Sequence, residues 1–192
     1  MIRRMGRIGV AGFLAAILAA GCGKSETVVI ETESAKGGTE AAPAAAEALP
    51  AGLLLDAAPE GAKSLEEVKK SAREGDSVVL RGRVGGALDP FVKGRAMMTV
   101  ADAGLVPCSE MEMGEDGCIT PWDYCCEAPE SLKAKVATIE VDGADGRPLK
   151  ADLRGAGGIA PLDTVVVVGK VGPRPDPAIL VIHATGIYRE PR

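Results

Sequence analysis

The chain has 192 residues, 22 basic against 27 acidic, with 46% hydrophobic residues but only 3% aromatic. This length suits one compact domain with extensions, and the net charge of −5 disfavours a basic nucleic-acid-binding protein. No stretch beyond residue 20 is apolar for the roughly 18 residues that a membrane span needs, so a multi-span membrane protein is excluded.

The first element is an export signal. Arg3, Arg4 and Arg7 precede the apolar run 8–20, which is too short to span a bilayer and the right length for a signal-peptide core. The run closes on Leu18-Ala19-Ala20-Gly21-Cys22. These residues resemble the lipobox of bacterial lipoproteins, with Leu18 one position further from the cysteine than is common. The resemblance implies that residues 1–21 are removed and that Cys22 is acylated, palmitate included, as the first mature residue. It places the protein in the cell envelope, anchored to a membrane and facing the periplasm or the exterior, and Gly23 after the cysteine implies outer-membrane sorting. Removing residues 1–21 takes away three arginines and no acid, so the net charge moves from −5 to −8. An acidic mature chain gains nothing from anionic lipid, which leaves the acyl chains as the membrane contact.

Residues 22–62 hold the acylated cysteine and a tether rich in Ala, Glu and Pro, without aromatics or a sustained period. A coil of this length reaches about 35 Å. Leu53-Leu54-Leu55 interrupts it and is expected to dock on the domain that follows, residues 63–192. Ser64 with Glu67 forms a capping-box signature, and Leu65, Val68 and Ala72 continue at helical spacing toward Gly75, which predicts one short helix over 65–74.

Strands follow. Val78, Leu80, Gly82 and Val84 alternate with Val79, Arg81 and Arg83 in a first strand. Further strands are predicted over 95–101, 135–141 and 148–153, with a turn at Asp142-Gly143-Ala144-Asp145-Gly146. The four consecutive valines within 164–171 mark a strand buried on both faces or closing a barrel, and 179–188 is the last strand. Short strands with turn signals and one helix make an all-β class, a small barrel of five to six antiparallel strands.

The order of these elements resembles the OB-fold, over about residues 64–192. Glu74 to Val84 matches its first strand, Met98-Thr99-Val100-Ala101-Asp102 its second, and 164–172 and 179–188 its last two. It is similar to nucleic-acid-binding OB modules and to small exported bacterial OB-fold proteins. It implies a binding module, while the fold alone specifies no ligand. Two features depart from the pattern. Residues 103–133 form a Cys-rich insert, and Gly155-Ala156-Gly157-Gly158-Ile159-Ala160-Pro161 reads as loop where the fold usually has a helix.

The insert carries Cys108, Cys118, Cys125 and Cys126, seven acidic residues, and no Lys or Arg from 103 to 132. An even number of cysteines outside the cytoplasm favours two disulfides. Adjacent cysteines join poorly to each other, so Cys125 and Cys126 are expected to pair separately with Cys108 and Cys118. The alternative is a soft-metal site, copper(I) or zinc, formed by the same thiolates with Met111 and Met113. Its spacing lacks the paired C-x₂₋₄-C of structural zinc sites. Trp122 and Tyr124 are candidate binding residues, either as a recognition tip or as rings that cover the cysteines and fill the barrel mouth.

Arg81, Arg83, Lys93 and Arg95 form the one basic cluster and are the remaining candidate binding residues. A groove for single-stranded nucleic acid needs such cations together with stacking aromatics, and the second and third strands have none. A solvated face pairing with the acidic insert is favoured instead. His183 reads as a partly buried strand residue with nothing paired to it, and no catalytic motif or phosphate loop is present. The expectation is a non-catalytic binding module with no cofactor, whose partners are a membrane through its lipid and a protein or small-molecule ligand. The alternatives are a soft-metal-binding envelope protein and a nucleic-acid-binding OB domain.

Overall fold

The computed structural model describes residues 46–111 and 119–192. Cys22, the leader and most of the tether lie outside these residues, as do Met113 and Cys118. The elements in chain order are β1 (Lys63–Ser64), α1 (Leu65–Ser71), β2 (Ser77–Val84), β3 (Met97–Ala101), α2 (Pro129–Lys135), β4 (Val136–Glu140), β5 (Thr164–Val171) and β6 (Val181–Arg189). β2 to β6 close a five-stranded barrel in the order β2-β3-β4-β6-β5, with β5 pairing back onto β2, and β1 adds a short parallel strand beside β2. This is the OB-like connectivity. Every pairing around the barrel is antiparallel except β4 with β6, because the chain leaves β4, builds β5 on the far side, and re-enters next to β4 in the same direction.

Strand chemistry explains the closure. Leu80, Gly82 and Val84 of β2 point inward, while Arg81 is exposed between them. The valine run Val165, Val166 and Val167 of β5 is buried on both faces, as a strand pairing on both sides inside a closed barrel requires. β5 and β6 shift register at Val168/Gly169. A Cβ at Gly169 would lie 2.4 Å from the His183 carbonyl oxygen, so this bulge admits glycine alone. The core adds Met98, Val100, Ile139, Ile182 and Ile187 from the other strands.

Helix α1 begins on the expected capping box: Ser64 Oγ accepts from Glu67 N–H, and the Glu67 carboxylate accepts from Ser64 N–H. Leu65 and Val68 bury completely in the barrel core. The helix stops at Ser71, three residues before the predicted end, because Ala72 is already extended and the Asp76 carboxylate captures Arg73 N–H. Gly75, with φ +85°, makes the turn that follows. From the β5–β6 loop, the Arg174 guanidinium donates to the carbonyls of Lys69 and Ala72, satisfying the open carbonyl end of α1.

Four further corrections to the sequence reading concern elements and their boundaries. The strand expected over 148–153 is absent: Leu149, Ala151 and Leu153 do bury alternately, but their backbone is served piecemeal by Ala96, Val141 and the side chain of Glu47. β3 and β6 each start two residues later than predicted, and β6 runs one residue longer. A second helix, α2, occupies the end of the predicted insert and delays the following strand to Val136. The Gly-rich stretch is a single 3₁₀ turn, Ala156–Gly158, where the expectation was a loop.

The Leu53-Leu54-Leu55 stretch docks as expected. Leu53 is buried in the core, and its carbonyl and the Leu55 N–H bond to Ile187 of β6. The docking reaches further back than the sequence suggested, since Glu47 N–H donates to the Lys150 carbonyl. Residues 47–55, read as tether, are therefore part of the folded unit.

A thiol-bearing cap as the candidate functional site

The described residues of the insert form a folded cap. Past β3, Asp102 turns the chain by accepting from Gly104 N–H and, through its other oxygen, from Glu66 N–H of α1. A single 3₁₀ turn, Cys108–Glu110, follows Pro107. Residues 119–127 run back alongside it, with Cys108 N–H donating to the Asp123 carbonyl at 2.9 Å and Ser109 N–H to the Pro121 carbonyl at 3.0 Å. Main-chain hydrogen bonds thus bring the two cysteine-bearing segments together.

Tyr124 anchors the cap. Its ring is fully buried with Ala101 and Leu105, and half-buried Leu132 and Val136 pack against this cluster, so a second small core lies between cap and barrel. Burial raises the pKa of its phenol, and the nearby Arg83 works in the opposite direction. Trp122 sits two residues away and is only half-buried; its indole N–H donates to the Leu88 carbonyl at 3.0 Å. Tyr124 therefore packs, whereas Trp122 is only half-buried and is tied to the exposed Leu88.

The sulfurs gather at this cap. Cys108 is buried, while Cys125 and Cys126 are exposed, and the three Sγ atoms all lie within 4.8 Å of one another. Cys108 Sγ and Cys125 Sγ are 3.4 Å apart, in contact but well beyond the roughly 2.05 Å of a disulfide bond. Cys118, the fourth cysteine of the expected pairing, lies outside the described residues.

The basic candidates are dispersed, and the three arginines are engaged. Arg81, on the outer face of β2, makes two hydrogen bonds to Glu190, each 2.7 Å. That contact holds the Glu190 carboxyl below its ordinary range, partly offset by burial. Arg83 bonds to Glu110 at 2.8 Å, so it does meet the acidic insert. Arg95 donates to the Pro148 carbonyl. Lys93 lines a cleft of about 460 Å³ with Asp89, Phe91, Asp152 and Arg154, in which the Arg154 guanidinium stacks over the Phe91 ring.

His183 corrects the sequence reading: it has an acidic partner. Parallel pairing of β4 with β6 sets Glu140 opposite His183, and Asp142, just past β4, brings Oδ2 to 2.8 Å from His183 Nδ1. Glu140 has its pKa raised, by burial first and then by Asp142, with His183 opposing. Asp142 is 41 positions from His183, and only the crossing of β6 back to β4 joins them; no local pattern in the sequence signals the pair. A second unforeseen group is Lys69, a buried ammonium on α1 that donates to the carbonyls of Lys133 and Val136 at the end of α2.

No protein-family model, no curated protein and no solved structure matches the chain. Among the described residues, no helix is long and apolar enough to cross a membrane.

Proposed function

We propose that this is an exported, lipid-anchored protein of the cell envelope in which the OB-like barrel is a non-catalytic scaffold and the cap is its binding element. The observation that carries this reading is the cap itself. It is tied to the barrel by a buried tyrosine and main-chain hydrogen bonds, yet its outer side leaves Cys125, Cys126 and Ile119 exposed and Trp122 half-exposed. A rigidly held, solvent-facing group of chemically distinctive side chains is what a binding site needs.

The nucleic-acid alternative is weakened by the state of its cations. Arg81 and Arg83 are both spent on carboxylates, and the strands that would offer stacking rings carry Met97, Thr99, Thr138 and Glu140 on their half-buried faces.

Cell fractionation with mass spectrometry of the N-terminal peptide tests the anchor. The expected result is a membrane-associated chain that begins at an acylated Cys22, and Cys22→Ser should release it from membranes. An acyl-free chain with a different mature N-terminus overturns the envelope reading.

A further inference from the structure

We infer that the cap is a site for a soft metal ion, copper(I) or zinc(II), held by the sulfurs of Cys108, Cys125 and Cys126. The inference deepens the reading of the cap as the binding element and does not depend on the lipid anchor.

Geometry comes first. With metal–sulfur bonds of about 2.3 Å, two thiolates on one trigonal or tetrahedral ion stand about 3.8–4.0 Å apart. The three Sγ atoms already lie within 4.8 Å of one another, with Cys108 and Cys125 at 3.4 Å, so an ion can be seated with changes in sulfur–sulfur distance of up to about 1 Å.

Main-chain contacts of the cap hold this arrangement. Cys108 is fixed by its N–H bond to Asp123 and by the turn that Met111 N–H closes on the Cys108 carbonyl. Cys125 follows directly on Tyr124, whose ring is locked in the second core. A ligand set positioned by its backbone loses little conformational entropy when it binds.

Access and charge agree with a cation. Cys125 and Cys126 face solvent and Cys108 is buried, which gives an ion an entry side and a sulfur to settle against. Asp123 and Glu127 lie in the same segment, and no Lys or Arg occurs from 103 to 132. Each metal–sulfur bond that forms replaces one S–H bond and releases one proton to solvent, and no electron is transferred. Sulfur donors select soft ions over magnesium or calcium.

The test is a titration of the reduced full chain under anaerobic conditions, with copper(I) in one arm and zinc(II) in the other, each against a competing chromogenic chelator. The expected result is about one ion per chain in at least one arm, and the arm that wins identifies the metal. Cys125→Ser and Cys126→Ser, at exposed positions, should abolish stoichiometric uptake while the melting temperature without metal stays unchanged. Absence of uptake in both arms, or uptake that both serine variants leave intact, overturns the site. Metal binding by a chain that lacks acylation would leave this inference standing and sink only the envelope reading.

Discussion

Gly85, just past the end of β2, lies directly beneath the Trp122 carbonyl of the cap, so close that a Cβ on residue 85 would stand 2.6 Å from that oxygen. The neighbouring Gly86 N–H donates to the same carbonyl at 3.3 Å. At this point the barrel rim and the cap therefore meet backbone to backbone, beside the packed Tyr124 ring. Gly85→Ala should push the cap outward and cost about 1–3 kcal/mol, as overpacking does. Chemical denaturation measures the loss, and an unchanged midpoint would show that the cap floats on the rim.

Tyr124 separates packing from polar contributions. Its ring is fully buried, and its hydroxyl has no hydrogen-bond partner among the described residues. Tyr124→Ala should cost about 3–5 kcal/mol, in line with other buried aromatic truncations. Tyr124→Phe keeps the packing and removes a hydroxyl that contributes little, so it should stay within about 1 kcal/mol of the parent. Trp122→Ala, at a half-buried position, should cost less than Tyr124→Ala. Comparable losses for the two alanine variants would contradict this division of roles.

Lys69 joins α1 to the end of α2. Burial lowers its pKa, Arg174 adds to this, and Asp176 opposes. Its ammonium donates to two carbonyls at the α2–β4 junction. Lys69→Met keeps the apolar stem but removes both hydrogen bonds, for an expected loss of about 1–3 kcal/mol. Hydrogen exchange should speed up locally over 132–138, and protection unchanged there would remove the assigned role.

Two carboxylates respond to pH with opposite sign. Glu190 has its folded pKa lowered, mainly by its hydrogen bonds to Arg81, so it contributes stability above its unfolded value of about 4.3 that is lost as pH falls through the folded value. Glu140 has its folded pKa raised, chiefly by burial, so it costs stability above its unfolded value and the cost disappears on acidification. Glu190→Gln should therefore flatten the acid limb of the stability profile, by less than about 1 kcal/mol because the pair is partly solvated. Glu140→Gln should stabilise the protein near neutral pH. Denaturation midpoints between about pH 3 and 7 decide both, and a Glu140→Gln variant destabilised at neutral pH would reverse the second assignment.

Local chemistry in the sequence determined much of this protein. The capping box at Ser64 and Glu67, the alternation along β2 and the valine run of β5 each act within a few residues, so they read correctly from the chain alone. Helix α2 escaped notice because Ala128 gives it no side-chain cap and it buries no residue; proline at its start was the one available signal. Tertiary structure alone decided what lies far apart in sequence. The parallel crossing of β6 onto β4 set Asp142 beside His183, and the fold of the cap brought Cys108 to Cys125 across 17 positions. Those contacts depend on how the barrel closes and on which main-chain groups pair across it, and residue spacing along one strand carries no record of either.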